Sequence, residues 1–157
     1  VDSATGKTHA TRYGFFSEDP DHLAARMGGK ILKVTGARPD DLEPVPDAIV
    51  GLFQYMIGNT DFGLSVLHNA EIIGRDNGEY WPVVYDFDFS GAVNAKYATS
   101  DPRFHLSSVR DRLYRGYCVP EETYPKVVAL LSLPFWQPVE RLTTSLMTSE
   151  RAFPIAL

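Results

Sequence analysis

What this chain has little of narrows it first. It holds one cysteine, Cys118, so an intrachain disulfide and a multi-cysteine zinc site are both excluded, and the fold must close without them. No run of about 18 apolar residues occurs, which excludes a membrane-spanning helix. The first residues also lack the basic-then-apolar pattern of a signal peptide. Basic residues are in deficit: Lys plus Arg number 15 against 20 for Asp plus Glu, and the net charge of -5 argues against a nucleic-acid binder that relies on a basic surface. There is no internal repeat and no low-complexity tract. These absences leave the compartment open, with a soluble cytoplasmic protein as the default expectation and secretion as the alternative. Because the chain begins with Val1 rather than Met, a fragment or a processed form is expected.

What is present describes one ordinary domain. In 157 residues, 44% hydrophobic and 22% charged, there is enough apolar material for a sizeable core. Residues 1–18 read as a β-hairpin, with SATGK as the turn and an aromatic second strand over 12–18. Two strands do not make a stable sheet in water, so this hairpin calls for partners from another chain or from a missing lobe. Gly6-Lys7-Thr8 looks like the end of a phosphate-binding P-loop, but that motif needs a glycine where Val1 stands, and the triplet is assigned to the turn. Asp19-Pro20 starts a short helix over 20–27 that Gly28-Gly29 stops. Residues 30–46, with Gly36, Pro39, Pro44 and Pro46, read as a surface connection.

The second half carries the longer elements. From Asp47, the apolar positions Ile49, Leu52, Phe53, Met56 and Ile57 recur at helical spacing and predict a mostly buried helix ending at Gly58-Asn59. Residues 70–73 and 80–85 flank a turn-rich spacer and read as a hairpin. Ser107 or Ser108 is expected to cap a helix to Tyr117, with Arg110, Arg112 and Arg115 on a solvated face. Pro120-Glu-Glu opens another, burying Val127, Val128, Leu130 and Leu131 before Pro134, and a last helix is expected from Pro138.

Chemistry concentrates in residues 58–91. There a loop carrying Asp61 and Asn69 runs into the hairpin, which delivers Asp86 and Asp88. Taken alone, Asp61 reads as a turn or cap residue and Asn69 as a partner of loop backbone. Two acids directly after an apolar strand would repel unless a cation or hydrogen-bond donors lie close. Together the four oxygen-bearing side chains fit a hard cation such as Mg²⁺ at a phosphate-transfer site. Of His9, His22, His68 and His105, only His68 lies near these residues. Cys118 reads as a small buried apolar residue, and Trp81 and Trp136 as core aromatics.

The order Asn59-Thr-Asp61, Leu67-His-Asn69, hairpin, Tyr85-Asp-Phe-Asp88 resembles atypical kinases of the CotH spore-coat type and is similar to HipA-like kinases. The resemblance covers residues 12–91. It implies an α+β fold, a mainly helical kinase-like C-lobe (20–157) preceded by the last N-lobe hairpin and hinge (1–19), as a fragment of a longer chain. It implies an ATP- and Mg²⁺-dependent phosphotransferase acting on a protein or small-molecule acceptor. Asp61 would be the catalytic Asp, Asn69 a metal ligand, Asp86 the principal Mg²⁺ ligand and Asp88 auxiliary, with Glu18 at the hinge that holds the nucleotide. Two departures stand out. Eight residues separate Asp61 from Asn69, where ordinary protein kinases and HipA-like proteins have five, and neither a Gly-rich loop nor a strand lysine is found. A non-catalytic kinase-like scaffold is therefore the alternative. A further rival is the haloacid-dehalogenase type of phosphatase, whose first motif Val83-Val-Tyr-Asp86-Phe-Asp88 resembles; it requires a downstream lysine and a further acidic pair, and the only aspartates after Asp88 are the separated Asp101 and Asp111.

Overall fold

The computed structural model describes residues 4–6 and 17–132. Within them the chain is α+β, with three α-helices and a three-stranded antiparallel sheet. Helix α1 (Pro20–Arg26) forms for the local reasons its sequence gives. Asp19 Oδ1 accepts the N–H groups of Asp21 and His22 at 3.0 and 3.2 Å, and Pro20 sits where a helical N–H has no partner anyway. Gly28, at φ 71°, turns the chain out.

It turns into a strand, which corrects the reading of this region as a surface connection. Strand β1 (Gly29–Leu32) pairs with β2 (Ala70–Arg75) in the register Gly29↔Arg75 to Leu32↔Ile72. Its partner comes some forty residues later, so no local turn signal marks it. The hairpin from β2 to β3 (Tyr80–Val84) is as the sequence predicts, with Ala70 opposite Val84 and Ile73 opposite Trp81. Central β2 buries Ala70, Ile72 and Ile73, while Pro82 lies on edge strand β3, where a missing N–H is tolerated. Trp81 is only half-buried: its Nε1 donates to Glu79 at 2.9 Å, and the Arg75 guanidinium lies 4.5 Å over its ring. It is a surface clasp rather than a core aromatic.

Helix α2 (Pro44–Ile57) begins a turn before the expected Asp47, because Pro44 is a good first helical residue. Its buried face is also not the apolar stripe. Asp47, Ala48, Val50, Gly51 and Gln54 are buried, whereas Leu52 and Met56 are 39% and 57% exposed. The reason is close approach: a Cβ at Gly51 would stand 2.7 Å from Tyr114 Oη and 3.0 Å from Gly116 Cα, so the small-residue side of the helix takes the crossing chain. In α3 (Tyr124–Ser132), preceded by a short turn of 3₁₀ helix over Glu121–Thr123, Val127 is buried, but Val128, Leu130 and Leu131 are exposed, against expectation.

The helix expected over 107–117 is absent; the segment is irregular. Asp111 draws the N–H groups of Ser107 and Ser108 onto its own carboxylate at 2.7 and 3.0 Å, the kind of local bond that competes with a helix. Arg112 and Arg115, read as a solvated face, instead donate to main-chain carbonyls of Met56, Thr60 and Phe62. Cys118 is exposed rather than buried. Of the hairpin expected over 1–18, a turn at residues 4–6 that includes Gly6 at φ 66° and the irregular Ser17 and Glu18 are described, and residues 1–3 and 7–16 lie outside the described residues. Pro134, Trp136 and the helix expected from Pro138 also lie outside them.

One core holds these pieces. Leu42, Val50, Phe62, Leu64, Ala70 and Ile72 are buried together, with Leu67, Val84 and Tyr117 packed at the edge. Three of these, Phe62, Leu64 and Leu67, come from the loop that carries Asp61. Burying a side chain such as Phe62 contributes about 1.5–3 kcal/mol, enough to fix a loop with no strand of its own.

Candidate functional site

The two halves of the site share a mount at the C-terminal end of α2. Gly58, at φ 67°, ends the helix, and Asn59 turns the chain into the Asp61 loop, its Oδ1 accepting the Asp61 N–H at 2.9 Å. The last carbonyls of such a helix have no partner inside it. Here Gly91 N–H donates to Gly58 O at 3.0 Å and Ala92 N–H to Ile57 O at 2.9 Å, which ties the segment after Asp88 to the same helix end. A second tie crosses the open end of the hairpin, where Tyr85 N–H donates to Asn69 O at 3.1 Å. Paired strands lie about 5 Å apart, so Asn69 and the residue before Asp86 are neighbours.

Asp61 and Asn69 meet directly. Asn69 Nδ2 donates to Asp61 O at 2.8 Å and to Asp61 Oδ2 at 3.0 Å, while His68 Nε2 lies 2.8 Å from Asp61 Oδ1. The eight-residue spacing does not keep them apart, because Gly63 and His68 exchange both main-chain hydrogen bonds, at 2.8 and 3.0 Å, and fold the extra residues into a small closed loop. With Nδ2 fixed on Asp61, Asn69 Oδ1 has no donor among the described residues and is the oxygen available to a cation.

Asp86 and Asp88 are held by their alternating neighbours. Phe87 packs edge-on to Phe53 of α2 at 5.5 Å between ring centres, and Phe89 meets Tyr97 at 5.9 Å. Donors ease the repulsion between the two acids. Asp88 N–H reaches Asp86 Oδ1 at 3.3 Å, and Tyr97 Oη donates to Asp88 Oδ2 at 2.8 Å. That bond holds the Tyr97 proton, raising the phenol above its ordinary value, with the charges of Asp88 and Asp86 acting in the same sense. Asn69 and Asp86 both have positive φ, 48° and 57°. Such backbone costs energy in residues other than glycine and gathers at functional sites.

Ser17, Glu18, Tyr85, Asp86, Asp88 and Val93 line one open cleft of about 470 Å³. Glu18 therefore faces the same space as the two acids, but its carboxylate is closed on Arg26 by bonds of 3.1 and 2.8 Å. What this corner offers a ligand is main chain. Asp61 and Asn69 do not line that cleft and stand at the neighbouring hairpin end. Among the described residues, no three His, Cys, Asp or Glu side chains form a metal cage. Mg²⁺ keeps waters and phosphate oxygens in its shell and needs only one or two carboxylates, and Asp86 and Asp88 are the two that line the cleft.

Sequence reasoning missed two neighbours of the site. Tyr97 lies in an irregular stretch nine residues beyond Asp88, with no spacing to mark it. Arg115 donates to Thr60 O and Phe62 O across more than fifty positions of sequence. No family model, curated protein or solved structure matches this chain.

Proposed function

We propose that this chain carries a kinase-like phosphotransferase site working with Mg²⁺ and ATP, in the C-lobe of an atypical kinase. The observation that carries the reading is the grip of Asn69 Nδ2 on Asp61, beside the hairpin end where Tyr85 leads into Asp86. A carboxylate for an acceptor and hard oxygens for a metal are what this chemistry asks of a protein, and the side chains of Asp61, Asn69, Asp86 and Asp88 are of those types. Asp61 orients the acceptor hydroxyl and receives its proton. Both its oxygens are already engaged, by His68 and Asn69, but a carboxylate has roughly four lone-pair sites and accepts a further donor. Asn69, Asp86 and Asp88 are the residues that would hold Mg²⁺, which when bound neutralises charge on the phosphates. The nucleotide base would lie toward the main chain of Ser17 and Glu18.

Calorimetric titration with Mg²⁺ and ATP tests the proposal, wild type against Asp86→Ala. Binding should be present in the wild type and lost in the variant; equal binding by both refutes the site. Release of phosphate from MgATP then separates an enzyme from a kinase-like scaffold, which binds without turnover.

A further inference from the structure

We propose that Arg115 is a positioning residue for Asp61. This rests on the reading of Asp61 as the residue that orients the acceptor. Asp61 lies in a loop without a strand partner, yet three consecutive carbonyls there are all taken by side chains. Arg115 Nη1 donates to Thr60 O and, at 2.7 Å, to Phe62 O, while Asn69 Nδ2 takes Asp61 O between them. The Asp61 N–H is held by Asn59 Oδ1. The guanidinium thus fixes the peptide unit before Asp61 and the one after Phe62, Asn69 fixes the unit between them, and together they do the work of a neighbouring strand.

That guanidinium is itself held in place. It lies 4.4 Å over the Phe104 ring and 5.5 Å from the ring of Phe62. Burial between them lowers its proton affinity below the ordinary arginine value, the neighbouring Arg103 acts in the same direction, and Asp101 and Asp61 oppose both. Arginine stays charged regardless; its plane stacks on rings, and the two hydrogens of Nη1 reach two carbonyls at once. A lysine's ammonium can bond two carbonyls but has no plane to stack on the rings that hold the group in place. Through Arg115 the chain that follows the Asp86 loop reaches back to set the geometry of the Asp61 loop.

The experiment compares the whole chain with Arg115→Lys and Phe104→Leu, by amide hydrogen exchange, MgATP calorimetry and phosphate release with water as acceptor. In Arg115→Lys, exchange at Asp61, Gly63 and His68 should quicken about tenfold, the size expected from one weakened charge-assisted bond. MgATP affinity should stay within about twofold, since the metal-side residues are untouched. Phosphate release should fall about a hundredfold at unchanged KM for ATP, as for a reacting group displaced by about 1 Å. Phe104→Leu removes one stacking face only and should move the same amides by a smaller factor, which keeps the test alive if the lysine variant does not fold. Unchanged exchange at those amides in both variants overturns the inference, as does unchanged phosphate release in a folded Arg115→Lys. A wild type that releases no phosphate counts against the enzymatic reading, and the exchange arm then decides on Arg115 by itself.

Discussion

Asp47 shows how a single buried group leaves a mark on the whole protein. It stands near the start of α2, 2% exposed, with Oδ1 lacking any hydrogen-bond partner, and burial pushes its carboxyl up to about 6 from an ordinary 3.8. A raised value in the folded chain means that folding takes up a proton between these pH values. The resulting stabilisation is fully present below about pH 3.8 and is lost as pH rises through about 6. Against Asp47→Asn, the wild type should lose on the order of 2–3 kcal/mol over that window. The comparison must be a difference, because Asp101, held down to about 2 by its hydrogen bonds from Arg103, contributes an opposite slope at lower pH. Urea unfolding at a series of pH values checks it; a gap between the two proteins that stays constant from pH 4 to 7 contradicts the assignment.

At the scale of elements, the end of α2 is the joint on which the site depends. It launches the Asp61 loop and accepts the N–H groups of Gly91 and Ala92, so it fixes both halves of the constellation. The joint is tight at Gly91, where an added Cβ would press on the carbonyl of Val109 and lie 2.8 Å from Arg110 Cα. Both are backbone atoms and neither swings aside. Gly91→Ala is therefore expected to destabilise by about 1–3 kcal/mol, the usual cost of forcing an extra carbon into a packed place. A urea midpoint equal to that of the wild type would show that the crossing is looser than its geometry implies.

For the molecule as a whole, a bound ligand should register as stability. A ligand that binds only the folded form adds about 2.7 kcal/mol at a hundred times its Kd. For a domain of this size that is roughly 5–10 °C in melting temperature. MgATP should give such a rise, while ATP with EDTA should give little, because Asn69, Asp86 and Asp88 offer the phosphates no positive charge without the metal. A melting curve indifferent to Mg²⁺ in the presence of saturating ATP would argue against a metal-bridged nucleotide.

Much of the architecture was legible because its causes are local. Asp19-Pro20 caps a helix wherever it stands, and the apolar runs around residues 74–78 make a hairpin from their own turn chemistry. Asp86 and Asp88 stood out for a similar reason: acids after an apolar strand need an explanation from chemistry alone. The misses have a common origin in distance along the chain. Strand β1 exists only because β2 arrives to pair with it, and residues 107–117 stay irregular because their arginines find carbonyls more than fifty positions away. Hydropathy showed where the apolar residues of α2 are, but the chain at Tyr114 and Gly116 chose the opposite, small-residue face to cover. The sequence by itself determined the cap of α1 and the hairpin of β2 and β3. Which faces are buried, how Asn69 reaches Asp61 and what holds that loop were decided only by tertiary structure, because those contacts join residues whose separation along the chain leaves no periodic trace.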